Sequence, residues 1–477
     1  WLKHPTLQFS LDGTFGAMAG LWPVTFLLFP SALGISVRAP NLTLNSRTSL
    51  YSQAIHPWPC KNGNFLRTGQ GMLSGVGPKD LGHAAWVFET EIPLTLDAFY
   101  QSPVIDKNHN AIFSSTTGRL FSMAPSGKLN WAVQLRRLLQ DAGQPPTPVL
   151  LGDAVYAVDG EGFLVKLALA TGAEFWRSRY AFSSGQDSWS VGLDLDSGTL
   201  FTVGFPTKED SKKCSYGGTH LYALDVADGR TKWNYSISEC NCNIMPSAHK
   251  GAVIFSDSTG NVYSLDIATG APLWKKPGNG RNTFTTGTAA VGENGSVYVT
   301  SNVGNGRGIL RVYDVGTGEI RWQHLFDRET NNAPAVFKDR TGRALVAIGV
   351  SNNAGIPPVN REEDAKAAYH GTLYALDAKT GSEVWTWEPP VWRHQACAGS
   401  TFTRLCLPDA FSNPSVDSNS TIYIGWMGGD VFAIDGTSGH GLSSYHIGSG
   451  IQGAPGIADG VLVASSCMRM AGFVTTQ

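Results

Sequence analysis

Groups able to do chemistry are sparse in this 477-residue chain, and few stand at spacings that a reaction needs. Asp106-x-Asn108-x-Asn110 opens like a calcium loop, in which oxygen ligands come from alternate residues, but the glycine and distal glutamate of such a loop are missing. A tight hairpin turn is the expectation there. Asp327 and Glu329 could divide acid and base roles, although carboxylates in a polar loop read first as solvated charges. His394 and Cys397 carry metal-ligating atoms without further ligands beside them. Gly304-x-Gly306-x-Gly308 is rich in glycine, but no helix follows to offer its N-terminus to a phosphate. Walker A, His-Glu-x-x-His and Gly-x-Ser-x-Gly patterns are absent from the sequence. No catalytic residue is assigned, and no metal site is expected.

The seven cysteines are Cys60, Cys214, Cys240, Cys242, Cys397, Cys406 and Cys467. None forms a Cys-x-x-Cys pair, and most fall in expected loops, which points to disulfides in an oxidising compartment. Cys397 and Cys406 could close one loop. Cys214 could reach Cys240 or Cys242, and Cys60 with Cys467 could staple the two ends of the fold. The odd count leaves one thiol over.

These residues must be positioned by strands. Charged residues are 16% of the chain and glycines number 55, a turn-rich composition suited to all-β repeats. Lys+Arg is 36 against Asp+Glu 38, a net charge of −2 without long runs of either sign, so nucleic acid is not an expected partner. One unit recurs: Leu373 to Trp385 reads LYALDAKTGSEVW, and near copies end at Trp233, Trp274 and Trp322, with weaker ones at Trp131, Trp176 and Ser443. Alternating apolar residues make two strands, and Asp-x-x-Thr-Gly makes the turn between them. A hairpin of this kind buries its apolar face only against neighbouring copies.

Inner strands begin near Pro103, Pro148, Ser190, Pro246, Ala289, Pro334, Pro414 and Pro455. Three of these prolines stand 28 residues before their tryptophan: Pro103 to Trp131, Pro148 to Trp176, and Pro246 to Trp274. The last inner strand has no outer strand after it, and Trp86 has no inner strand before it. Pairing these leftovers closes a ring and removes the free sheet edge. The fold expected is all-β, an eight-bladed β-propeller of four-stranded antiparallel blades, with the N-terminal strand completing the C-terminal blade.

With its Tyr-x-Leu-Asp-x-x-Thr-Gly-x-x-x-Trp hairpins and the lead-in Trp58 to Gly69, the chain resembles the pyrroloquinoline-quinone-repeat, or quinoprotein-like, β-propeller family over about residues 57–470. Enzymes of that family imply a quinone, a Ca²⁺ as Lewis acid and an Asp base. Where they carry Gly-Asn-Pro, this chain has Gly204-Phe205-Pro206. Their adjacent cysteine pair is absent, and their Asp-Tyr-Asp segment falls near Phe326-Asp327-Arg328-Glu329, where the match is poor. The resemblance therefore favours the family's non-catalytic members. The function expected is ligand or protein binding, or scaffolding, by a monomeric propeller. The alternative is a pyrroloquinoline-quinone-dependent alcohol or sugar dehydrogenase that uses the quinone and calcium. No cofactor is expected under the first reading.

Residues 1–56 read as a signal-like or disordered segment and residues 57–477 as one propeller domain. The apolar run Leu21 to Phe29, followed by Ala32-Leu33-Gly34, suits a signal peptide, and sequons at Asn41, Asn234, Asn294 and Asn419 suit a secreted or lumenal glycoprotein. Strand reversal within a blade puts loops joining strands two and three on the same face as the inter-blade loops. The long insertions, at 206–220, 234–245, 302–308, 351–371 and 388–413, all fall on that face, where a small molecule, a glycan or a protein would bind. Residues beside the inner-strand starts are expected to ring the central channel there: Gln101, Thr147, Trp189, Met245, Asn332, Asn413 and Gln452, with Arg393 above them.

Overall fold

A computed structural model describes residues 50, 52–53, 55–73, 75–89, 97–135, 146–184, 190–214, 217–241, 245–280, 283–352, 368–393 and 410–475. Their strands form eight four-stranded antiparallel sheets. Seven blades are sequential: 104–134, 149–179, 192–241, 247–276, 289–325, 335–387 and 415–446. The eighth takes three strands from the C-terminus, Gly456–Ala458, Val461–Ser465 and Met470–Val474, and its outer strand from the N-terminus, Trp86–Phe88. Trp86 pairs with Gly472 and Phe88 with Met470, so the ring closes as the repeat count requires.

The repeated turn explains itself chemically. In the sixth blade Asp377 Oδ1 accepts from the N–H groups of Lys379 and Thr380 and from the Thr380 hydroxyl, and Gly381 N–H closes the turn on Asp377 O at 2.8 Å. Gly381 has φ +76°, where a side chain is strained. Its second role is to admit a neighbour: a Cβ there would lie 2.5 Å from the Trp322 ring of the fifth blade. The same contact joins Trp131 to Gly172, Trp176 to Gly229, Trp233 to Gly270, Trp274 to Gly318, Trp385 to Gly439 and, across the ring closure, Trp86 to Gly127. Several indoles also donate Nε1–H to a carbonyl beside that turn, Trp131 to Leu169 and Trp385 to Gly436 among them. Trp and Gly are thus two halves of one inter-blade joint. At the remaining joint the Trp position is Ser443, and its hydroxyl bonds the lead-in chain at Lys79 O and Leu81 N.

The lead-in after Trp58 is not an outer strap but the hub of the wheel. Trp58 exchanges both backbone hydrogen bonds with Ile105 of the first blade, and Pro59 O accepts from Leu150 of the second. The Arg67 guanidinium donates to Val191 O of the third blade and Pro246 O of the fourth. Phe65 O accepts from Ala248 of the fourth, Leu66 O from Val291 of the fifth, Thr68 O from Val336 of the sixth and Gly69 O from Val416 of the seventh. Val76 O accepts from Gly460 of the eighth. Packing reaches back past residue 57: His56 is fully buried, bonded to Gly152 O and to Lys107 N–H, and burial lowers its pKa.

Two expected insertions are strand instead of loop. The third blade's outer strand runs Thr231–Asn241, because Trp233, Tyr235 and Ile237 keep alternating inward past the motif tryptophan. The 302–308 stretch is the tip of a long hairpin, Ser296–Gly304 with Arg307–Asp314.

Two alanine substitutions separate the two demands on the turn glycine. Gly342 also has positive φ (+84°), but no atom lies within 4 Å of the place its methyl group would take. Gly342→Ala is expected to cost about 1 kcal/mol and Gly381→Ala at least about 2 kcal/mol by chemical denaturation. Equal costs would mean that the tryptophan contact contributes nothing.

Candidate functional site

The insertion face is built most fully on the third blade. After Thr199–Gly204 the chain leaves the sheet and makes a helical turn, Lys208–Ser211, whose first turn is capped by Thr207 Oγ1 accepting from Asp210 N–H at 3.1 Å. Cys214 follows and is disulfide-bonded to Cys240 at the end of the same blade's outer strand, with Cα atoms 5.8 Å apart. This ties a charged excursion, with Lys208, Lys212 and Lys213, to the rigid sheet. Exposed Phe182, Phe284, Leu325 and Val391 lie along the inter-blade side of the same face, with Arg393 exposed beside Val391. Trp392 bridges back to Tyr369.

The residues expected at the channel mouth sit at more than one level. Thr147, Met245 and Asn413 directly precede an inner-strand proline, Gln101 and Asn332 stand two residues before one, and Gln452 three before. The first five are buried, and Gln452 alone of these six is partly exposed. They join blades: Thr147 Oγ1 donates to Gln101 Oε1, and Asn413 Oδ1 accepts from Ala333 N–H of the blade before it. Asn332 Nδ2 donates to Gly349 O within its own blade. Trp189, His394, Cys397, Cys406 and Cys242 lie outside the described residues.

Among the described residues, the positions that the resemblance assigns to a quinone with calcium carry other chemistry. Phe205 brings a phenyl ring and no oxygen to the ligand position; its backbone is held by Phe182 N–H and Ser183 O, and its ring is buried. Asp327 is exposed beside Arg328, while Glu329 is half-buried, pairs through its backbone with Ser351, and has its pKa raised by burial. Asp106 caps its own hairpin, accepting from Asn108 N–H, Asn110 N–H and Asn110 Nδ2. Among the described residues no group of three His, Cys, Asp or Glu side chains could hold a metal ion.

Of the polar core of the hub, only Cys60 is among the residues that the sequence pattern singles out, and there as a disulfide candidate. Asn62, Arg67 and Cys60 are fully buried in the shaft, and Asn62 and Arg67 both adopt φ +61°. The signal of Asn62 and Arg67 in the sequence is a stretch without hydrophobic periodicity that holds Asn62, Gly63 and Asn64.

A family model described as outer membrane protein assembly factor BamB matches residues 170–363 and 369–473. The protein of that name from Shewanella oneidensis is 25% identical over 235 residues, which is 49% of this chain and 43% of that protein. The one from Yersinia pestis is 25% identical over 246 residues, 50% of this chain and 55% of that protein. The quinohemoprotein alcohol dehydrogenase ADH-IIG of Pseudomonas putida is 28% identical over 211 residues, 37% of this chain and 28% of that protein. The chain therefore spans about half or less of the length of these curated relatives. Among solved structures, BamB from Moraxella catarrhalis superposes with a TM-score of 0.52 at 15% identity, over 83% of this chain and 98% of that one. The Pseudomonas putida dehydrogenase superposes at 0.63 and 11% identity, over 92% of this chain and 83% of that one. At such identities the structural likeness is one of fold.

The expected Cys60–Cys467 staple does not form. Cys60 is a free thiol packed with Val149, Val191 and Phe65 in the hub, whereas Cys467 is disulfide-bonded and lies beside Phe99 and Gly450 near the eighth blade. Burial pushes the Cys60 thiol up to about 11, partly offset by Arg67. In native protein at pH 8 the Cys60 peptide should resist iodoacetamide and label only at the rate of unfolding. Labelling within minutes under native conditions would contradict this hub packing.

Proposed function

The chain belongs to the PQQ-repeat β-propeller family whose model is described as outer membrane protein assembly factor BamB, and from that membership we propose a non-catalytic scaffold that holds a protein partner on its insertion-loop face. The observation that carries this reading is the asymmetry of the two faces. One has short turns, Asp-x-x-Thr-Gly in the fourth, fifth and sixth blades; the other has the disulfide-tied excursion of the third blade, the fifth-blade hairpin and exposed aromatic and aliphatic side chains. A rigid ring with ordered long loops on one side offers a large preformed surface, which lowers the ordering cost of binding. The Cys214–Cys240 bond supports an extracytoplasmic location, where such bonds persist. The relatives named as assembly factors support a protein as the thing bound.

Lysines mark both faces, so cross-linking tests the assignment. A partner should cross-link through Lys208, Lys212 and Lys213 and not through Lys107, Lys250 or Lys379 in the opposite turns. Cross-links concentrated on the second set would overturn the face.

The similarity to quinohemoprotein alcohol dehydrogenase keeps a second reading in view, a quinone-dependent dehydrogenase. Phe205 at the ligand position weighs against it. Protein incubated with pyrroloquinoline quinone and Ca²⁺ is expected to show neither stoichiometric quinone absorbance after desalting nor dye reduction with alcohols or sugars. Turnover with any of them would replace the scaffold reading.

A further inference from the structure

We infer that the central shaft, just above the hub, binds a small oxyanion, with Arg67 as its countercharge and the amides of Asn62 and Gln101 as neutral donors. Arg67 is fully buried, and among the described residues no carboxylate pairs with it. Its guanidinium carries five N–H groups. Nη1 donates to Lys61 O at 2.7 Å, Nη2 to Val191 O at 2.7 Å, and Nε to Pro246 O at 3.3 Å. Two N–H groups are left over, and the positive charge meets carbonyl dipoles but no carboxylate among the described residues. The neighbouring ionisable group, the Cys60 thiol, is neutral at ordinary pH. A buried cation without a partner is costly, and an anion in the shaft would offset that cost.

The Asn62 amide is fixed as a donor by a relay that starts in the backbone. Ala333 N–H donates to Asn413 Oδ1, so Asn413 presents Nδ2 to Asn62 Oδ1 at 3.0 Å. Asn62 therefore has only Nδ2 free, buried and without a partner. On the first blade Thr147 Oγ1 donates to Gln101 Oε1, which leaves the buried Gln101 Nε2 without a partner. The hydroxyls of Ser190 and Thr288, at corresponding inner-strand positions of the third and fifth blades, are also buried and unpartnered. Ser190 directly precedes Val191, whose carbonyl holds Arg67. A cation, two amide donors and two hydroxyls suit the oxygens of a phosphate, sulfate or carboxylate group. Gln452, before the eighth blade's inner strand, is partly exposed. The site does not depend on what the outer loops bind.

The test compares thermal melts and calorimetric titrations in inorganic phosphate, sulfate and citrate against chloride at equal ionic strength. At least one of the three should bind one-to-one and raise the melting temperature with the logarithm of its concentration. Gln101→Leu and Asn62→Ala should each weaken that binding about tenfold or more, and Arg67→Met should abolish it. If Arg67→Met does not fold, the two amide variants decide. Melting temperatures equal to those in chloride for all three anions would overturn the site, and so would binding that both amide variants leave unchanged.

Discussion

Eight sheets set radially leave eight inner strands, each with one edge of backbone N–H and C=O groups turned toward a central shaft. Buried and unpaired, each such group costs roughly 1–3 kcal/mol. Here the lead-in segment supplies partners along this edge to seven of the blades, and Val76 O takes Gly460 N–H in the turn after the eighth blade's inner strand. Because its residues 58–69 turn within the shaft, successive carbonyls reach different blades: Phe65 the fourth, Leu66 the fifth, Thr68 the sixth. Arg67 reaches the third with its side chain and adds a second tie to the fourth. The left-handed conformations of Asn62 and Arg67 are the local strain that this path requires.

Outside the shaft, the ring is held by the tryptophan-on-glycine joints. A Trp at the end of one blade needs a bare Cα in the next blade's turn, and that Cα needs φ > 0 for the turn itself. One glycine meets both needs, which is why the two residues recur together. The Trp86–Gly127 joint shows the closing strand obeying the same rule as the sequential blades.

This coupling is also why the fold is legible in the sequence and the shaft is not. Trp and Gly act pairwise at seven of the eight joints, with Asp or Thr shaping most of the turns, so their periods expose the blade count and the closure. The hub acts once and mostly through backbone groups, so Trp58 to Gly69 carries no period. The place of Cys60 ahead of Trp86 points it toward the closure, but the chain leaves the shaft between the two, and the thiol stays inside beside Val149. Gln101, Thr147, Asn332 and Asn413 stand beside the inner-strand starts in the sequence, but their hydrogen bonds depend on register across separate sheets, which no local pattern encodes. Phe205 is readable directly, since a phenyl ring cannot ligate a cation whatever the fold does.

Function divides along the same line. The rigid hub and joints would carry both proposals, a protein partner on the outer rim of excursions and an anion in the inner shaft. Both depend on the hub staying in place. The most direct measurement is the thermal unfolding of a chain lacking residues 1–77, which removes the hub but keeps the closing strand Trp86–Phe88. The account predicts that this chain loses the cooperative transition of the parent. A transition at the parent's melting temperature would contradict it.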